Sequence, residues 1–98
     1  MSEMRFSIAP THPALDGHFP GRPIVPAVVI LDEVLAAAAH AATGPVIGIV
    51  QAKFSAFLRP AETCVVSFEP SRQGLRFLCR AETRTIASGL LAIANGAS

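Results

Sequence analysis

The sequence predicts an α+β fold, with one apolar helix packed against an antiparallel sheet of about five strands. Three observations lead there. The stretch opened by Pro26 and stopped by Thr43-Gly44-Pro45 has helical length and boundary signals. One alternating segment precedes it and four strand-like segments follow, joined by short links. A helix this apolar must cover itself, and a sheet wrapped around it is the natural layer solution.

Taken in order, Met4 to Ala9 alternates, with Met4, Phe6 and Ile8 on one face and Arg5 and Ser7 on the other. That pattern predicts a half-buried strand. The stretch "PTHPALDGHFPGRP" is too rich in Pro and Gly for a regular element. Pro26 suits the first helical position, where its missing N–H is not needed. The helix is expected to run to about Ala42. Val28, Val29, Ile30, Leu31, Val34, Leu35 and alanines 36–39 cover nearly all its sides. Strands are expected at 46–58, 63–69, 74–83 and 86–94, forming a four-strand meander closed by hairpins at "PSRQ" and "RT". One strand, a long loop, a central apolar helix and four strands describe the hotdog fold, here as a single domain over residues 1–98.

Composition narrows the function classes. Half the 98 residues are apolar and only 15% are charged, so the chain is suited to hiding surface in an oligomer. Net charge is +1, and no basic stripe interleaved with aromatics argues for nucleic acid. The N-terminus lacks a basic segment followed by an apolar run, so no signal peptide is expected. No apolar run is long enough for a membrane span. Cys64 and Cys79 have no metal-ligand spacing and read as core thiols of a reduced, cytoplasmic protein. With neither Tyr nor Trp in the chain, a Tyr general acid is excluded.

Three features of the helix entry carry chemistry. His18 stands between Gly17 and Phe19-Pro20-Gly21, whose backbone is restricted on both sides. A stiff backbone positions a side chain at little entropic cost. His12 and His40 read as ordinary loop histidines at turns, and composition alone gives His18 the same bland reading. Asp32 has only apolar helical neighbours, at Val28, Val29, Leu35 and Ala36, and Glu33 is similarly placed. At least one of the two is expected to be poorly solvated, although either acid would also complement the helix dipole. Spacing does not choose between them. The N–H groups of Ala27 and Val28, just after Pro26, have no partner inside the helix and can hold a carbonyl oxygen that gains charge. A base, an acid and an oxyanion donor at one place suit proton abstraction beside a carbonyl, with assistance to a leaving group.

The string "GHFPGRPIVPAVVILDEVL" resembles the active-site signature of the β-hydroxyacyl-acyl-carrier-protein dehydratases, which have the hotdog fold. Gly17, Phe19, Pro20, Gly21, Pro23 and Pro26 match the family pattern, and Asp32 stands fourteen residues after His18, where the family has its acid. The segments "VIGIVQAKFSAFLRPAET" and "ASGLLAIA" resemble later family strands more weakly. The resemblance implies that His18 removes the α-proton of a 3-hydroxyacyl thioester and that Asp32 helps the hydroxyl leave as water. A backbone N–H of Ala27 or Val28 would hold the thioester carbonyl. It implies no cofactor and no metal. The implied partners are acyl carrier protein, which brings the substrate on phosphopantetheine, and a second copy of the chain, joined edge to edge so that each site takes its His and its acid from different protomers. Ala27 replaces a family Gly but keeps the N–H. The chain also begins just before the first matched strand, without the N-terminal helix and strand of the primary-metabolism enzymes. Both departures suggest a short accessory relative, such as those serving aryl-polyene synthesis.

Two other functions compete with dehydration. One is a hotdog thioesterase, and the other is a non-catalytic acyl-binding subunit in which Ala27 is the damaging change. Phe54, Phe57, Leu75 and Phe77 are expected to set the depth of the acyl site. Arg22, Lys53, Arg59 and Arg76 are candidate contacts for an acidic carrier protein, each with ordinary solvated surface as the alternative.

Overall fold

The computed structural model describes residues 2–15, 24–42 and 44–94. Strand β1 (Ser2–Phe6) leads through a short 3₁₀ turn (Pro13–Leu15) toward helix α1 (Ala27–Ala41). Strands β2 (Val46–Phe54), β3 (Cys64–Ser71), β4 (Gly74–Ala81) and β5 (Arg84–Ile93) follow. All five strands form one antiparallel sheet in the order β1-β3-β4-β5-β2.

That order corrects the expected four-strand meander. Only β3, β4 and β5 are joined by hairpins, and β2 lies on the far side of β5, with Phe54 opposite Ala87. The place beside β3 goes to β1, with Phe6 opposite Cys64. Residues 55–63 carry the chain across, because that link is too long for a hairpin and is tied down elsewhere. Ser55 N–H donates to the Ile86 carbonyl at 2.8 Å, and Ala61 N–H donates to the Ile8 carbonyl at 2.7 Å. β1 also ends sooner than its alternation suggests. Ile8 lies beyond the strand yet is buried, packing into the core from irregular chain.

The core lies between α1 and one face of the sheet. Alternation places Cys64, Val66 and Phe68 of β3 inward with Leu75, Phe77, Cys79 and Ala81 of β4. Ile86 and Leu91 of β5 join them, and α1 contributes Val29, Ile30, Val34, Ala37 and Ala38. The spacing of these helical residues is that of one helix face.

The other face of α1 differs from expectation. A helix apolar on every side was expected to be enclosed, but Val28 is 62% exposed, and Asp32, Ala36 and Ala39 are exposed with it. One sheet can cover only one side of a helix. β2 shows the same lack of cover. None of its residues is buried, with Ile47 68% and Val50 60% exposed, and only one of its edges is paired. Pro26 also sits one residue outside the helix, in extended backbone with ψ 147°, so Ala27 is the first helical residue.

Candidate active site

The start of α1 is built from backbone alone. The Pro26 carbonyl accepts from Val29 N–H at 3.0 Å and from Ile30 N–H at 3.3 Å, and no side chain among the described residues caps the helix. Pro26 itself has no N–H. The N–H groups of Ala27 and Val28 have no acceptor among the described residues. They are donors at the positive end of the helix dipole, on exposed residues.

Ala27 faces an apolar groove of about 310 Å³. Ile24, Pro26 and Ile30 line one side, and Phe54 and Phe57 line the other. Leu75 and Phe77, expected to help set the depth of such a site, are buried in the core and do not line it. Their inward register on β4 commits them to packing under α1 instead.

The structure separates the two acids that the sequence left level. Asp32 lies on the open face of α1, one turn beyond Val28, and is exposed. Glu33 is half-buried beside the core stripe of Val29, Ile30 and Ala37. Of the two, Glu33 is therefore the less solvated, and none of the described residues covers the face that carries Asp32. Neither acid has a hydrogen bond or ion pair among the described residues. Gly17, His18, Phe19, Pro20 and Gly21, along with Arg22 and Pro23, lie outside the described residues. His12 has a local duty, since its Nδ1 accepts from Ala14 N–H at 3.1 Å in the 3₁₀ turn. His40 is exposed in the last turn of α1, favourable for the helix dipole.

Of the candidate carrier contacts, Lys53, Arg59 and Arg76 are exposed. Lys53 and Arg76 share a concavity of about 530 Å³ that also takes in Ser67, Glu69 and Leu78, the outward residues of β3 and β4. Arg59 does not line it. Among the described residues, no group of three His, Cys, Asp or Glu is placed to hold a metal ion. Cys64 and Cys79 are buried free thiols on neighbouring strands. A hydrogen bond with Cys64, together with burial, pushes the Cys79 thiol up, which keeps it protonated and inert.

One pair beside the groove was missed by sequence reasoning, which treated Arg59 to Glu62 only as a turn. Glu62 and Arg84 form a two-pronged ion pair at 2.7 and 2.8 Å. The Arg84 hydrogen bond holds the Glu62 carboxyl down at about 2. The turn strains the chain as well, since Ala61 has φ 67°, in the left-handed region.

The family model described as ApeI-like, ApeI dehydratase, matches residues 1–90. No curated protein matches the chain. Among solved structures, the chain resembles the dehydratase heterocomplex ApeI:P from Xenorhabdus doucetiae, with 24% identity and a TM-score of 0.77. That match covers 95% of this chain and 86% of the other. It also resembles an uncharacterized protein from Erwinia carotovora subsp. atroseptica, with 27% identity and a TM-score of 0.75, covering 98% of this chain and 84% of that one. The likeness places the five-stranded sheet and helix α1 in the hotdog-like fold.

Proposed function

Because this chain belongs to the ApeI-like dehydratase family, we propose that it converts a 3-hydroxyacyl thioester, carried on acyl carrier protein, to the trans-2-enoyl thioester and water. The observation that carries this reading is the helix start. Two backbone donors without protein partners among the described residues open beside an apolar groove. A thioester carbonyl held there is polarised as negative charge develops on its oxygen. His18 takes the α-proton, the electron pair forms the C2–C3 double bond, and the C3–oxygen bond breaks. Asp32, directly or through a bound water, assists the hydroxyl to leave as water. The proton taken by His18 balances the one given to the leaving group, so no redox cofactor or metal is consumed.

The whole chain is read as one hotdog domain acting in the cytoplasm. Among the described residues, no helix is long and apolar enough to cross a membrane. Two protomers are read as pairing along β2, the edge strand with exposed Ile47 and Val50. Such pairing would give the open face of α1, with Asp32 on it, a partner to face. Gly17, Phe19, Pro20 and Gly21, whose sequence implies a restricted backbone, are read as the residues that would position His18, and Pro26 as the one that would position the helix start.

Incubation with a 3-hydroxyacyl carrier protein tests the reading. Enoyl product is the expected result. Free acid would make the chain a thioesterase, and tight binding without turnover would make it the acyl-binding subunit that Ala27 in place of Gly suggests.

A further inference from the structure

We infer that Glu62 and Arg84 are positioning residues for the start of α1, a role that rests on the dehydratase reading for its consequence in catalysis. Neither side chain lines the groove. They reach it through a chain of hydrogen bonds. Arg84 Nη1 donates to Glu62 Oε2 at 2.8 Å and Nη2 donates to Oε1 at 2.7 Å. Nη2 also donates to the Phe57 carbonyl at 3.1 Å. Glu62 Oε1 accepts from Arg59 N–H at 3.1 Å, while Glu62 N–H donates back to the Arg59 carbonyl at 3.2 Å. The segment from Phe57 to Glu62 is therefore closed on itself and held at both ends by the first residue of β5.

Between those two ends, the Leu58 carbonyl accepts from Val25 N–H at 2.9 Å. Val25 immediately precedes Pro26, the N-cap of α1. Among the described residues, this is the one backbone hydrogen bond joining the helix lead-in to the segment after β2. Leu58 and Val25 are both buried, so the joint is also packed. Phe57 and Leu58 then line the groove opposite Ala27. The spacing between the Ala27 donor and the far wall is thus fixed from β5, through a guanidinium whose planar fork allows one geometry.

If the pair is removed, the segment and the helix lead-in are free to shift relative to each other. A donor misplaced by about 1 Å can cost on the order of a hundredfold in rate, although its contact with bound substrate is barely changed. Glu62→Gln and Arg84→Lys test this. Arg84→Lys keeps the charge but cannot span both carboxylate oxygens and the Phe57 carbonyl, and it serves if Glu62→Gln folds poorly. Two readouts are needed. The first is amide hydrogen exchange, which does not depend on any activity. Exchange at Val25 should quicken at least about tenfold more than at core strand amides such as Val66, the signature of local opening. The second is steady-state kinetics, where kcat should fall about tenfold to a hundredfold with KM nearly unchanged. Exchange that rises equally at Val25 and Val66 would overturn the inference, as would unchanged kcat in a folded variant. If the wild-type chain does not dehydrate a 3-hydroxyacyl carrier protein, the functional reading fails on its own, and exchange at Val25 still decides whether the pair positions the helix start.

Discussion

Asp32 and Glu33 are neighbours in the chain but belong to different surfaces. Asp32 shares the open face of α1 with Val28, while Glu33 borders the buried stripe. This difference gives a direction to an assignment that spacing left open. Asp32→Asn is expected to lower dehydration about a hundredfold or more, the usual scale for a lost acid. Glu33→Gln should change it little, and the reverse result would move the acid to Glu33. His18→Ala should abolish turnover and leave the far-UV spectrum unchanged, because its surroundings in the sequence are those of a loop rather than a core. Ala61 makes a different prediction, one about stability. Its φ of 67° puts a β-carbon where glycine would be unstrained. Ala61→Gly should therefore stabilise the fold by about 1 kcal/mol, measured by urea unfolding. A destabilised variant would mean that the turn tolerates its alanine without strain.

The elements themselves were largely legible, and the reason is periodicity. Cys64, Val66 and Phe68 alternate, and so do Leu75, Phe77, Cys79 and Ala81, so β3 and β4 could be read residue by residue. What alternation does not encode is which strand lies beside which. The seat of β2 beside β5 is decided by residues 55–63, which have no period, and by hydrogen bonds to Ile86 and Ile8. The pair of Glu62 and Arg84 was hidden for the same reason, since 22 residues separate its members and no local pattern links them. That pair also makes the link sensitive to acid. The folded chain keeps Glu62 ionised down to about 2 through the Arg84 hydrogen bond, whereas the unfolded chain protonates it near its ordinary value of 4.5. Its stabilisation is therefore complete above about pH 4.5 and is lost as pH falls toward 2. Glu62→Gln should be less stable than wild type at pH 7, and the gap should close between those two values. Unfolding curves at pH 7, 4 and 2.5 would show it, and a gap that stays constant with pH would remove Glu62 as the cause.

At the scale of the whole molecule, the described residues leave two surfaces uncovered, the open face of α1 and the strand β2. The sequence predicts α1 as a helix enclosed on every side, and the structure buries only the face with Val29, Ile30, Val34, Ala37 and Ala38. The low charge and the apolar helix suggest an oligomer in the sequence, but not which face of α1 is left open, since that depends on how the sheet sits against it. An edge strand carrying exposed Ile47, Ile49, Val50 and Phe54 is a liability unless it pairs. The proposed two-fold dimer joined along β2 would remove that liability, and its two sites would be equivalent by symmetry. In the shared-site reading, each His18 acts with the Asp32 of the other protomer. Complementation tests this directly. His18→Ala and Asp32→Asn, each inactive alone, are unfolded together and refolded. A mixed dimer then holds one site with both residues intact and one with both lost. Random pairing makes about half the dimers mixed, so roughly a quarter of wild-type activity should return. If His18 and Asp32 act within one protomer, every site in the mixture lacks one of them and nothing returns. Mass spectrometry of the intact dimers shows whether mixed species are present, and their presence without activity would rule out the shared site while leaving the dimer itself standing.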